Sequence, residues 1–191
     1  MARVHGFELK DMVEWVGEEG YAFQGELWLI GVRLGLATED ANGGPMRYEF
    51  PTAGLDDLIA EQCDDLREPG YSFAPNLDIL CGALADATKH EEWLLEGWAD
   101  AQARGRVLVV CSTQNSELTL TAPALLSDES IEKAALGAVG DREVDPDTVR
   151  VVRQVPEVVQ GEPLAAADWL ERHAAWQQER EQFLTGLRDL L

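Results

Sequence analysis

Apolar and polar positions along this chain recur with two different periods, and the switches between them predict its elements. Phe7, Met12, Trp15 and Val16 stand at helical spacing, which predicts a short amphipathic helix over residues 7–20, ended by Gly17 or Gly20. Over residues 26–36 the even positions Trp28, Ile30, Val32, Leu34 and Leu36 are all apolar, the alternation of a strand. Gly25, Gly31 and Gly35 disfavour a helix in the same stretch. Asn42-Gly-Gly-Pro45 is turn chemistry, and Met46, Tyr48 and Phe50 then alternate with Arg47 and Glu49, so a β-hairpin is expected.

The period then lengthens. Leu55, Leu58, Ile59, Cys63 and Leu66 share one helical face, and Pro69-Gly70 stops that helix. Asn76 is placed to cap a second helix through Leu77, Leu80, Cys81 and Leu84. Thr88 and Glu91 have capping-box spacing for a third, which carries Trp93, Leu94 and Trp98 and ends at Gly105. Residues 107–111 and 117–122 read as a second hairpin about Gln114-Asn-Ser116. Ser127 or Asp128 opens a helix through Ile131 and Leu136, Asp145-Pro146-Asp147 is a turn, and residues 148–155 read as a further strand. Pro163 suits the first turn of a long helix to Leu191, roughly 40 Å at ~1.5 Å per residue.

The expected fold class is therefore α+β: a mostly antiparallel sheet of about five strands (two hairpins plus one strand), a helical middle segment and a long C-terminal helix. Residues 1–162 are expected to form one compact domain, with 163–191 packed on it or on a partner subunit.

Composition narrows the function. The 191 residues include 36 acids and 15 bases, a formal charge of −21, with 46% hydrophobic and 27% charged residues. That balance is globular, and a chain of this length buries about 70% of its unfolded surface without staples. Residues 51–100 are the most acidic stretch, a dozen acids against Arg67 and Lys89. So negative a chain is a poor ligand for nucleic-acid phosphates or anionic lipids, both of which need Lys and Arg. Neither direct nucleic-acid binding nor membrane binding is expected. The opening residues lack an apolar signal segment, and Leu27-Trp-Leu-Ile30 and Val107-Leu-Val-Val-Cys111 are far shorter than a membrane span. A cytoplasmic protein is the expectation.

Familiar catalytic motifs are missing. The chain has no GxxxxGK[ST], no GxGxxG and no GxSxG. Cys111, followed by Ser112 and Thr113, sits where a strand-tip nucleophile would. A phosphate-clamping Arg six residues on is replaced by Glu117, and the same offset gives Pro69 for Cys63 and Ala87 for Cys81. Three widely spaced cysteines with no CxxC pair make a poor disulfide framework and a poor zinc site, so all three are read as structural. Asp86 and His90 stand four apart, a metal-ligand spacing, but the break expected at Thr88 separates them and leaves His90 a solvated first-turn residue. His173, beside Glu171 and Arg172, is assigned to packing or a surface hydrogen bond. No catalytic residue, metal site or cofactor is expected.

Two features stand out as partner-binding surfaces. On the helix near residues 55–68, Asp57, Glu61, Asp64, Asp65 and Glu68 cluster opposite the apolar stripe. Their density, one charge per ~3.3 Å of helix, is near the ~3.4 Å of one DNA strand and would imitate a phosphate track towards a basic protein. In the C-terminal helix Trp169, His173, Trp176, Arg180, Phe183, Leu187 and Leu190 alternate at spacings of four and three, the rhythm of a packed seam. That seam offers a surface for a partner or for homo-oligomerisation.

The function expected is that of a non-enzymatic acidic protein-binding protein (adaptor, inhibitor, immunity-type or chaperone-like) that meets a basic partner, in its sharper form as a mimic of nucleic-acid charge. The alternatives are an enzyme with a site assembled from scattered residues, with loops at Glu39-Asp40 and Cys111-Ser112-Thr113 as candidates, or a structural subunit of a larger assembly.

Overall fold

The structure, a computed structural model, describes residues 1–51, 55, 57, 59, 63, 77–113, 116–139, 144 and 146–161. It is α+β, with nine strands among the described residues in two sheets, all but one of the strand pairs antiparallel. Two compact units emerge: one is Ala2–Ala87 with the described residues Val159 to Gly161, the other Met1 with Thr88–Val158.

The first unit holds a six-stranded sheet in the order β5-β4-β3-β2-β1-β9, built from β1 (Arg3–Val4), β2 (Phe7–Val16), β3 (Tyr21–Leu29), β4 (Val32–Glu39), β5 (Arg47–Glu49) and β9 (Val159–Gln160). The helix expected over residues 7–20 is thus a strand. Phe7 and Leu9 face the core opposite Leu29 and Leu27, but the register shifts between Lys10 and Val13, and Asp11 takes a left-handed φ of 50°. That β-bulge reverses the alternation. Beyond it Glu14 opposes Phe23 on the core side while Val13 and Trp15 lie on the other face. A strand whose phase slips by one residue imitates helical spacing.

The expected single strand over residues 26–36 is also corrected: it is two strands joined by a two-residue turn. Ile30 and Gly31 both have positive φ, 47° and 77°, the geometry that matches strand twist, and Leu29 opposes Val32. A second such turn, His5-Gly6, joins β1 to β2, and the Ile30 amide donates to the Gly6 carbonyl at 3.0 Å. The hairpin to β5 is present as expected, with Leu36 opposite Glu49. Gly35 is required there, because a Cβ would collide with the Glu49 carbonyl.

Helix α1 (Leu77–Ala103) replaces the expected second and third helices with one of 27 residues. Leu80, Leu84, Ala87, Glu91, Leu94 and Ala101 are buried, and Trp98 falls in step with them at alternating spacings of four and three. That stripe runs through Thr88 without a change of phase, so nothing there stops the helix. Gly105, at φ 63°, ends it as expected, with its amide donating to the Gln102 carbonyl.

In the second unit β6 (Arg106–Ser112) lies between β7 (Glu117–Pro123) and β8 (Arg150–Val152), and α2 (Asp128–Val139) follows β7. The β6/β7 hairpin and α2 stand where the sequence predicts them, whereas β8 is shorter than residues 148–155. All of Val107 to Cys111 is buried, because β6 is covered on both faces. Val107, Val109 and Cys111 pack with Ile131 and Ala135 of α2, and Leu108 reaches Gly97 of α1. Ser127 caps α2, its Oγ accepting from the Ser130 amide.

No described helix is long and apolar enough to cross a membrane. The C-terminal helix expected over residues 163–191 lies outside the described residues.

Candidate functional site

Leu55, Ile59 and Cys63 are helical and buried, and Asp57 is helical and exposed. At 100° per residue, positions four apart stay on one face and Asp57 falls opposite them. The described residues therefore place Asp57 in solvent and Leu55, Ile59 and Cys63 inside. Glu61, Asp64, Asp65 and Glu68 lie outside the described residues, as do Trp169, His173, Trp176, Arg180, Phe183, Leu187 and Leu190 of the second candidate surface.

The two loops considered for a scattered active site are occupied by structural bonds. The Glu39 carboxylate accepts from the Ala41 amide at 2.8 Å, and Asp40 from Arg47 at 2.7 Å, so both hold the bend between β4 and β5. Cys111 is buried, and burial pushes its thiol up from the usual range. Thr113 closes the β6–β7 connection, its amide and Oγ both donating to the Ser116 carbonyl.

Three polar clusters were not foreseen. The largest centres on Glu117, at the start of β7. Its Oε2 lies 2.5 Å from His90 Nε2, and its Oε1 accepts from Ser112 Oγ at 3.1 Å and from the Arg150 guanidinium at 3.4 Å. Thr148 adds a two-way tie to the Ser112 backbone. His90 is thus no first-turn residue: it sits mid-helix in α1, with its ring stacked 5.7 Å from that of Trp93. The hydroxyl of Ser112 donates to the Glu117 carboxylate rather than to the His90 imidazole. In sequence the group is spread from residue 90 to residue 150, and no local spacing announces it.

In the second cluster Tyr48 OH donates to Asp78 Oδ1 at 2.5 Å, in the first turn of α1, and stacks on Phe50. Burial, reinforced by Cys81 and Asp78, pushes the Tyr48 phenol above its ordinary range. Burial likewise pushes the Cys81 thiol up to about 12. Cys63, Cys81 and Cys111 are all buried and in no disulfide, as expected of structural cysteines. In the third cluster Glu91 is buried in α1 instead of serving a capping box. Its Oε1 accepts from the Met1 amino group at 2.6 Å and the Val158 amide at 3.3 Å.

On the outer face of the first sheet Lys10 Nζ lies 3.9 Å from the Trp28 ring centroid, and Glu26 accepts from Trp28 Nε1 and Arg33. The Arg33 hydrogen bond holds the Glu26 carboxyl below the usual carboxylate range. A cavity of about 250 Å³ opens beside the two positive-φ turns, lined by Gly6, Ile30 and Gly31 with Arg3 and Glu8 as its charged groups. Among the described residues no three His, Cys, Asp or Glu side chains converge as a metal site.

No protein-family model matches this chain, and neither a curated protein nor a solved structure matches it.

Proposed function

We propose that this chain is a non-enzymatic protein-binding protein that recognises the basic surface of a partner protein through its acidic exterior. The observation that carries the reading is the placement of Asp57 in solvent, opposite buried Leu55, Ile59 and Cys63, at the head of a run of acids with helical spacing. A net charge of −21 accelerates encounter with a cationic partner and disfavours phosphate backbones. Support also comes from the polar groups that chemistry would need. Glu117, Glu39 and Asp40 are bound to neighbours, and the Cys81 and Cys111 thiols are held in their neutral form. In the sharper form of the proposal, Asp57, Glu61, Asp64, Asp65 and Glu68 imitate a nucleic-acid phosphate track, and the seam from Trp169 to Leu190 supplies a second contact or a homo-oligomer interface.

Affinity capture from the native cell, with mass spectrometry at two ionic strengths, tests it. The expected result is a basic protein partner whose capture weakens with salt and falls further when Asp57, Asp64 and Glu68 are all changed to Lys. Capture indifferent to salt and to the triple change would overturn it.

The second reading, an enzyme, draws on the Glu117 cluster, where a serine, a histidine and an arginine converge on one carboxylate. Its sign would be a substrate-dependent activity abolished by Glu117→Gln with the fold intact.

A further inference from the structure

Among the described residues, strand β2 is flanked by strands on both sides only at its beginning. β3 runs beside it from Phe7 to Val16, whereas β1 covers only Phe7 and Glu8 on the other edge. Over residues 9–16, among the described residues, no strand pairs with that second edge. An open strand edge presents backbone donors and acceptors to any extended segment laid along it.

Large apolar side chains stand in water beside this edge. Val13 is 63% exposed, Trp15 40% and Val16 84%. Strand alternation puts Val13 and Trp15 on one face and Val16 on the other, so an added strand would find apolar contact on both faces. The charges around them are of one sign. Asp11, Glu14 and Glu18 lie on β2 and the turn that follows, and the single base there, Lys10, is held by Glu8 at 3.2 Å and by the Trp28 ring.

We propose that the open edge of β2 takes up an extended basic segment of a partner protein as an added strand. Its apolar side chains would meet Val13, Trp15 and Val16, and its Lys or Arg residues would meet Asp11 and Glu18. This deepens the acidic-binder reading and rests on it. A second copy of the chain is the wrong occupant, because pairing two such edges sets like charges against each other. The acids that repel a copy attract a cationic strand.

The test uses the full chain labelled with fluorotryptophan and two synthetic peptides, one alternating Lys with Val and one alternating Glu with Val. Trp15→Phe identifies the Trp15 fluorine resonance. The Lys/Val peptide is expected to shift that resonance and slow amide exchange over residues 9–16, with salt weakening both effects. The Glu/Val peptide is expected to do neither. Changing Glu18 to Lys should weaken binding about threefold, and Val16→Ser, at a solvated position, should weaken it with the fold unchanged. Equal binding of both peptides, or protection mapped away from β2, would overturn the proposal. So would sedimentation showing that the chain dimerises through this edge. If the Lys/Val peptide leaves β2 untouched while a basic partner is still captured and is released by the Asp57, Asp64 and Glu68 changes, the edge proposal falls and the acidic-binder reading stands.

Discussion

His90, in the middle of α1, places its Nε2 2.5 Å from Oε2 of Glu117 at the head of β7, and so ties helix to sheet within the second unit. A net hydrogen bond of this kind contributes about 1 kcal/mol. Replacing His90 with Ala is expected to cost about that much. Glu117→Ala, which also strips Ser112 and Arg150 of their acceptor, should cost about 2 kcal/mol. The double variant should fall short of the sum by about 0.5–1 kcal/mol in urea denaturation. Strict additivity would show that the two side chains do not meet in solution.

Thiol chemistry gives the second expectation. Native protein at mild alkaline pH should react slowly with a thiol reagent and rapidly once unfolded, because Cys63, Cys81 and Cys111 are buried. Linkage sets the sign of the accompanying pH dependence. The Cys81 thiol keeps its proton in the folded chain up to about 12, whereas the unfolded chain loses it near the ordinary thiol value of 9.0. Its contribution is therefore fully present below about pH 9 and is lost as pH rises towards 12, with a slope of about 1.4 kcal/mol per pH unit. Tyr48, shifted in the same direction, adds to the loss above its ordinary range. Denaturation from pH 8 to 11 should show a shallower decline for Cys81→Ala than for the parent chain, whatever the variant's starting stability.

The turn between β3 and β4 carries backbone strain at a β-branched residue. Ile30 holds a φ of 47°, a region that Asn tolerates far better. Ile30→Asn keeps the amide that donates to Gly6 and should raise stability by about 0.5–1 kcal/mol. Gly31→Val, at φ 77°, should lower it by at least about 1 kcal/mol. Thermal unfolding of the two variants must move in opposite directions.

Arg153 spans the connection between β7 and α2. Its guanidinium donates to the carbonyls of Ala124 at 3.0 Å and Leu126 at 2.8 Å, and to Asp128 at 2.7 Å. Lys cannot reproduce that fork. Arg153→Ala is expected to cost about 1–2 kcal/mol, with Arg153→Lys recovering less than half. Amide exchange over residues 124–127 should speed up in both.

Local chemistry alone made part of this protein legible. Asn42-Gly-Gly-Pro45, Gly105 and Ser127 mark chain reversal or helix ends through backbone preferences that hold in any fold. Strand β6 and helix α2 follow from unbroken periodicity, and the burial of all three cysteines from their residue type and spacing. Tertiary structure decided the rest. The bulge at Asp11 shifts the phase of β2, the Ile30-Gly31 turn hides within an apolar alternation, and α1 passes through Thr88 because its buried stripe continues on both sides. The Glu117 cluster and the open edge of β2 exist only once strands have neighbours. Periodicity reports which face of a segment avoids water, but what lies across that face, and which edge is left without a partner, depends on segments far away in the chain.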